Sequence, residues 1–165
     1  MKLKGAKNIE IESNVNIGKF IWLESDERFG KHFGKITIAE KTYIGNFCHI
    51  YSTGSIKIGK SVLIADKVYI SDNAHSYDNP NEAILSQPVK QLANVSIGEN
   101  SWIGENACII GVTIGKNCII GANSVVKKDV PDYSIVVGSP SKIVKRYDFE
   151  TSRWMRTDKE GNFIN

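Results

Sequence analysis

An aliphatic residue recurs every six positions along most of this 165-residue chain. The recurrences form five sets of three, and an amphipathic helix would instead space its apolar residues by three and four. A fixed short period of this kind indicates a solenoid. The aliphatic positions are Ile11, Ile17, Leu23, Ile38, Ile44, Ile50, Ile58, Ile64, Ile70, Ile97, Ile103, Ile109, Ile114, Ile120 and Val126.

The neighbours of each aliphatic residue indicate how the chain folds around it. A small or branched residue lies two positions before, and because strand residues two apart share a face, both should point inward. The residue after the aliphatic is repeatedly small or acidic, and glycine there, as at Gly45 and Gly104, is expected to let the chain turn because it tolerates unusual φ angles. Three short strands would close one coil of about 18 residues, and stacked coils would bury a continuous aliphatic column.

The interruptions of the repeat all follow the third strand of a set. There the spacing changes from six to 15, 8, 27 and 5 residues, so the irregularities should lie along one edge. Insertions in solenoids often form a binding face, and a long loop without periodicity is commonly functional. The longest begins near Asn73, and its Tyr77, Ile84 and Leu85 suggest packing on another surface, such as a neighbouring subunit.

Composition narrows the function classes. The net charge of +3 and the absence of a dense basic run before residue 127 do not indicate nucleic-acid binding. We find no signal-peptide pattern and no apolar stretch approaching roughly 18 residues, so we expect a cytoplasmic protein without a membrane span. Cys48, Cys108 and Cys118 form no CxxC pair, which argues against a disulfide framework or a zinc knuckle. Cys48 and Cys118 occupy small inward positions and are interpreted as core residues.

Two segments carry a resemblance to a known family. WIGENACIIGVTIGKNCIIGANSVVKKDVP and YSIVVGSPSKIVKR, together with the repeat, resemble the hexapeptide-repeat acyltransferases, most closely their sugar O-acetyltransferase branch. The likeness covers roughly residues 9–147. It implies an all-β solenoid, a left-handed parallel β-helix of about five coils. It also implies a homotrimer with active sites between subunits, acetyl-CoA as cosubstrate and no metal.

Gly138 and Pro140, which follow the last repeats, indicate a division of the chain. Residues 1–138 are expected to form the catalytic β-helix domain, with a loop insertion at 73–95. Residues 139–165 are expected to form a short capping helix, over SKIVKRYDF, followed by a tail. Such a cap would cover the exposed end of the β-helix.

His75, at the start of the longest insertion, is the candidate general base. The resemblance places the catalytic histidine of this branch here, and imidazole suits the removal of a hydroxyl proton near neutral pH. Many relatives carry a second histidine where this chain has Asn73; Asn73 and Tyr77 are candidate acceptor-binding residues. Asp72 or Asp78 would either orient the imidazole or serve as turn residues, and we favour the second. His49 and His32 are interpreted as ordinary surface residues.

The resemblance assigns the remaining site residues to the cosubstrate. The backbone N–H of Glu105 would stabilise the oxyanion, beside Gly104. Trp102 occupies an outward repeat position next to the expected thioester site, and an exposed tryptophan there suggests stacking on a ligand or contact with a subunit. Ala122 would offer backbone contacts to the pantetheine arm. The cations expected near the CoA nucleotide are Lys127, Lys128, Lys142 and Lys145. IIGVTIG is one residue shorter than the family's usual stretch.

Several functions remain open. Acetyl transfer to a hydroxyl of a sugar or polysaccharide precursor is preferred, with a sugar N-acyltransferase as the main alternative. A non-catalytic trimeric β-helix scaffold would leave the GSPSK segment and the His75 loop without a purpose. A γ-type carbonic anhydrase needs converging histidines, commonly two spaced five apart, and position 80 is Pro80. The sequence does not reveal which acceptor is used.

Overall fold

Three parallel sheets are visited by the chain in a fixed order. The computed structural model describes residues 1–26, 34–158 and 160–164; His32 lies outside them. In each of five passes the chain contributes one strand to each of three sheets, which are called B, C and A in the order in which the chain reaches them. The first pass comprises β2 (Ile9–Ile11), β3 (Asn16–Ile17) and β4 (Trp22–Ser25), and the second comprises β5 (Lys35–Ile38), β6 (Tyr43–Ile44) and β7 (His49–Ser52). The third comprises β8 (Ser55–Ile58), β9 (Leu63–Ile64) and β10 (Tyr69–Ser71), and the fourth comprises β13 (Val95–Ile97), β14 (Trp102–Ile103) and β15 (Cys108–Ile110). The fifth comprises β16 (Thr113–Ile114), β17 (Ile119–Ile120) and β18 (Val125–Val126).

The remaining elements precede, interrupt or follow these passes. They are β1 (Lys2–Lys4) in sheet A, 3₁₀ turns at Ala6–Asn8 and Ile84–Ser86, the hairpin of β11 (Asn73–His75) and β12 (Val89–Gln91), and β19 (Ser134–Val137), β20 (Lys142–Asp148) and β21 (Arg153–Arg156) in sheet C. Successive passes pair in register, as with Ile50, Ile70 and Ile109 in sheet A. The described residues include no helix long and apolar enough to cross a membrane.

The six-residue repeat predicts the core correctly from the second pass onward. Ile44, Ile64 and Ile103 are fully buried, and so are the small residues two positions before, such as Thr42 and Ser101. In the first pass Ile11 is 41% exposed, because β2 is the edge strand of its sheet.

The glycines after the aliphatic residues have a different role from the one expected. Gly104 keeps an ordinary φ, and the left-handed residue is Asn106, two positions later, at φ 60°. Asparagine tolerates this region better than most residues. Gly104 is required by close packing instead, because a Cβ there would lie 2.6 Å from the backbone N of Ala122 on the next pass.

The expected C-terminal capping helix is wrong. β20 pairs antiparallel with β19, and β21 pairs antiparallel with β20, so this segment extends sheet C as a hairpin. The physical reason is the open edge of β19, whose backbone groups need partners that a helix would not supply. Ile143 and Val144 are β-branched and suit a strand.

Candidate active site

His75 is presented on a hairpin that leaves the corner between sheets A and B, called here the A–B corner. β11 and β12 pair antiparallel, and His75 lies opposite Val89. The histidine is exposed, and within the described residues its imidazole has no hydrogen-bond partner. An exposed, unpaired imidazole is available to a substrate.

The two aspartates near His75 differ in their surroundings. Asp72 is fully buried and accepts hydrogen bonds from Ser52 Oγ at 2.7 Å and from the backbone N of Thr53 at 2.7 Å. Its carboxylate therefore binds the chain where the preceding pass turns at Ser52 and Thr53. Asp78 is exposed in the loop.

The two predicted acceptor-binding residues also differ. Asn73 is buried, and its amide donates to the carbonyl of Tyr51 at 3.3 Å and to the Asp72 carboxylate at 3.2 Å. Tyr77 is 75% exposed beyond the hairpin strand. Asn73 thus has structural contacts within the chain, whereas Tyr77 is free to meet a ligand or another surface.

A second group lies at the corner between sheets C and A, called here the C–A corner. Trp102, on β14, is 47% exposed on the outer face of sheet C. Gly104 follows at the corner and is buried. Because Gly104 allows the next pass to approach closely, the backbone of Glu105 and Ala122 is stacked along this corner.

Along the C–A corner, backbone N–H groups of the early passes donate to a side chain of the following pass, whereas those of the last two passes have no acceptor among the described residues. In the first two passes the backbone N–H of Lys19 donates to Asn46 Oδ1 at 2.9 Å, and that of Asn46 donates to Asp66 Oδ1 at 2.7 Å. The hydrogen bonds that Asp66 accepts from the backbone N–H and from the side-chain amide of Asn46 lower the pKa of its carboxyl group. At Glu105 and Ala122 no acceptor within the described residues covers the N–H.

The Glu105 side chain does not cap this corner either. Its carboxylate lies 2.8 Å from Lys67 Nζ on the pass before, and this pairing raises the pKa of Lys67. The Glu105 N–H remains a donor that can meet a developing oxyanion.

The four predicted lysines fall into two groups. Lys142 begins β20 and pairs with Val137, at the end of β19 next to the C–A corner, whereas Lys145 pairs with Ile135 on the outer side of sheet C. Lys127 and Lys128 follow β18 and lie at the A–B corner. All four side chains are exposed.

Within one chain the predicted residues are therefore divided between two edges. Trp102, Gly104, Glu105, Ala122 and Lys142 lie on or beside the C–A corner, with Lys145 on the outer side of sheet C, whereas Asn73, His75, Tyr77, Lys127 and Lys128 lie at or beyond the A–B corner. A sheet A strand of three residues, about 10 Å long, separates the two corners.

An aromatic row on the outer face of sheet A was not predicted from the sequence. His49 stacks on Trp22 with ring centroids 4.4 Å apart and meets Tyr69 edge-on at 5.4 Å. Burial lowers the pKa of His49, and its Nε2 is buried without a hydrogen-bond partner among the described residues. The signal was present in the sequence, because all three residues occupy the outward position directly before an inward aliphatic.

Comparison with known proteins identifies the family. Residues 94–128 match the family described as hexapeptide repeat of succinyl-transferase. WbbJ of Escherichia coli K12, assigned as a lipopolysaccharide biosynthesis O-acetyl transferase, is 33% identical over 135 residues. The aligned part covers 78% of this chain and 68% of WbbJ.

Two solved structures share the fold. A variant of AntD, an N-acyltransferase from Bacillus cereus, in complex with dTDP-4-amino-4,6-dideoxyglucose and coenzyme A, superposes with a TM-score of 0.74 at 24% identity. The match covers 91% of this chain and 79% of AntD. A hexapeptide-repeat acetyltransferase of Vibrio cholerae, complexed with acetyl coenzyme A, gives 0.67 at 26% identity over 86% and 72% of the two chains. On the family match and the identity with WbbJ, the chain belongs to the hexapeptide-repeat acyltransferase family.

Proposed function

We propose that the protein transfers an acetyl group from acetyl-CoA to a hydroxyl of a sugar or of a polysaccharide precursor. The observation that carries the proposal is the exposed imidazole of His75, which the longest insertion in the repeat presents on a paired hairpin. The similarity to WbbJ, assigned as a lipopolysaccharide O-acetyl transferase, supports a saccharide acceptor.

The proposed reaction is a direct transfer within a ternary complex. The neutral imidazole of His75 takes the acceptor hydroxyl proton as the oxygen attacks the thioester carbonyl. The carbonyl electron pair moves onto its oxygen, where the Glu105 N–H donates a hydrogen bond. Collapse reforms the carbonyl and breaks the C–S bond, and the thiolate takes the proton from the imidazolium. His75 is thereby restored without a covalent enzyme intermediate.

The separation of the two edges favours a site shared between subunits. His75 and the Glu105 N–H must both lie about 3 Å from the reacting atoms, and one chain holds them at opposite ends of sheet A. We propose a homotrimer in which the C–A corner of one subunit meets the hairpin of the next.

The outer faces of the three sheets support this assembly. The outward row on sheet C is largely apolar, with Tyr43, Leu63 and Trp102 each at least 40% exposed, whereas the corresponding row on sheet B is polar, as at Lys57 and Thr113. Exposed apolar patches on a soluble protein commonly mark interaction sites. Leu85, at 90% exposure on the insertion, would bury its side chain in the same contact.

The arrangement of the sheets supports the expected solenoid. We infer that the five passes, which visit three parallel sheets in one order, are five coils of a β-helix. We infer its left-handed sense from the family resemblance and the shared fold of the CoA-bound structures. Lys142 and Lys145, with Lys127 and Lys128 of the adjacent subunit, would supply cations to the CoA phosphates. Ala122, Trp102 and Gly104 would line the pantetheine path.

An N-acyl acceptor is the second candidate. The AntD variant has the same fold and was solved with an amino sugar nucleotide. A neutral amine attacks a thioester without prior removal of a proton by the enzyme, so an N-acyltransferase would depend less on His75. The two candidates therefore differ in a measurable way.

The test is acetyl-CoA turnover, followed by free thiol, with a panel of glycosides, nucleotide sugars and amino sugars. His75→Ala should lower acceptor-dependent kcat by about 10²–10⁴-fold for hydroxyl acceptors. His49→Gln serves as the matched histidine control and should retain activity. If an amino sugar is the best acceptor and His75→Ala keeps its turnover, the protein is an N-acyltransferase. If acetyl-CoA does not bind, the scaffold hypothesis replaces both.

A further inference from the structure

We propose that Asp72 is the positioning residue for His75. Its buried carboxylate fastens the root of the β11–β12 hairpin to the corner of the preceding pass, between β7 and β8. This inference rests on the proposed role of His75 as base.

The Asp72 carboxylate is enclosed by donors only. Oδ1 accepts the backbone N–H of Thr53 at 2.7 Å, Thr53 Oγ1 at 3.3 Å and the amide of Asn73 at 3.2 Å. Oδ2 accepts Ser52 Oγ at 2.7 Å and the backbone N–H of Gly54 at 2.9 Å. Successive backbone N–H groups form a cradle that favours an anion. Among the described residues, His75 donates no hydrogen bond to this carboxylate, so any effect of Asp72 on the base is indirect.

The same residue also holds the returning strand of the hairpin. The backbone carbonyl of Asp72 accepts the N–H of Leu92 at 2.7 Å, directly after β12. A Cβ at Gly54 would lie 2.0 Å from Gln91 Nε2, so the cradled corner packs directly against β12. Asp72 thus connects the outgoing chain, the returning chain and the preceding pass at one point.

The outgoing strand is fixed between Asp72 and His75. Ser71 Oγ accepts the N–H of Asn73 at 3.1 Å and donates to its carbonyl at 3.0 Å. The Asn73 amide donates to the carbonyl of Tyr51 as well as to Asp72. His75 lies two residues after Asn73 in the same strand, so loss of these hydrogen bonds would let the imidazole move away from its position. Misplacing a catalytic group by about 1 Å can cost about 10²-fold in rate.

The chemistry of the cradle supplies an informative substitution. Asp72→Asn keeps the size of the side chain but places an NH₂ group against a set of donors. Whichever way the amide is turned, it faces either Ser52 Oγ and the N–H of Gly54, or Thr53 and Asn73. The hydroxyls can turn to accept from the NH₂ group, but the backbone N–H of Gly54 or of Thr53 would face it and lose its hydrogen bond in a buried site. Asp78→Asn, an exposed carboxylate in the same insertion, is the matched control.

The experiment compares Asp72→Asn and Asp78→Asn in the wild-type and His75→Ala backgrounds, measuring kcat, KM for acetyl-CoA and Tm. We expect Asp72→Asn to lower kcat by at least about tenfold with KM for acetyl-CoA changed less than about twofold, and Asp78→Asn to change neither. In the His75→Ala background Asp72→Asn should add no further loss, because its effect passes through His75.

Two outcomes would overturn the proposal. One is wild-type kcat in Asp72→Asn while His75→Ala is inactive, which leaves the base assignment intact. The other is an equal loss from Asp72→Asn in both backgrounds, which indicates a general effect on the fold. Full activity of His75→Ala would instead refute the base itself. If Asp72→Asn does not fold, Ser52→Ala removes a single donor to Oδ2, and its kcat loss must likewise vanish in the His75→Ala background.

Discussion

His75 and Glu105 lie at opposite ends of the same parallel sheet. β10 ends four residues before His75, and its neighbour β15 begins three residues after Glu105, with Tyr69 paired to Cys108. Because the strands run parallel, one residue follows the end of sheet A and the other precedes its beginning. The proposed base and the proposed oxyanion donor of one reaction are thus best assigned to different copies of the chain.

The Glu105 N–H can be removed without disturbing the corner. Asn106 has φ 60°, and the N–H of Ala107 donates to the carbonyl of Gly104, so Glu105 occupies the second position of a type II-like turn. Proline is favoured there. We expect Glu105→Pro to lower kcat by about 10²–10³-fold with little change in Tm.

The control for this substitution is Glu105→Ala. It removes the ion pair with Lys67, which exposed groups make with little gain in stability, and it keeps the N–H. Its kcat should remain within about twofold of wild type. Equal losses in the alanine and proline variants would assign the effect to the side chain and refute the oxyanion role.

The core was predictable from the sequence because its signal is periodic. Every pass through the three sheets repeats the same inward positions, so the spacing that marks Ile64 as inward also marks its paired residue Ile103. The C-terminal hairpin has no such repeated pattern in its sequence. SKIVKRYDF has no second copy to compare, and its strand state follows from the open edge of β19, which is a tertiary contact.

The candidate site was predictable residue by residue but not as an arrangement. His75 was identified by its place in the longest insertion and by resemblance. The role of Asp72 was not, because its five donors come from residues 52–54 and 73, and the contacts from 52–54 depend on stacking between passes. Likewise, the capping of Lys19 by Asn46 joins residues 27 positions apart.

Ionisation of a buried thiol predicts how stability depends on pH. Burial raises the pKa of Cys48 from 9.0 to about 11. The unfolded chain therefore releases this proton at lower pH than the folded chain, so the stabilising difference is complete below pH 9 and is lost as pH rises toward about 11. Urea midpoints at pH 8 and pH 10 should fall more for wild type than for Cys48→Ala. Identical pH dependence in both proteins would contradict the prediction.

The two pairs of lysines can be distinguished by the phosphate group of CoA that each pair binds. We expect Lys142→Ala with Lys145→Ala, and Lys127→Ala with Lys128→Ala, each to raise KM for acetyl-CoA by about tenfold with kcat little changed. The assay is then repeated with acetyl-CoA that lacks the 3′-phosphate. The lysine pair that binds this phosphate is the pair whose substitution no longer raises KM for the shortened cosubstrate. Lys57→Ala, on the polar face of sheet B, is the control. Unchanged KM in both double variants would remove the lysines from the site.

A site shared between subunits predicts that two inactive variants restore each other. His75→Ala lacks the base but keeps the Glu105 N–H, and Glu105→Pro has the opposite defect. In a mixed trimer, the hairpin of a Glu105→Pro subunit can meet the C–A corner of a His75→Ala subunit, and that pairing is intact. We expect the two proteins, unfolded together and refolded, to recover up to about a quarter of wild-type kcat per subunit, since one site in four is intact by random mixing.

The controls are each variant refolded alone and the two folded proteins mixed without exchange, all of which should stay inactive. Recovery should rise and fall with the mixing ratio and be greatest near equal amounts, because intact sites need one subunit of each kind. If base and oxyanion donor came from one chain, each mixed site would keep a defect, and no ratio would restore turnover. Size-exclusion chromatography of the mixture, with differently tagged variants, verifies that mixed trimers formed, so that absence of recovery would count against the shared site.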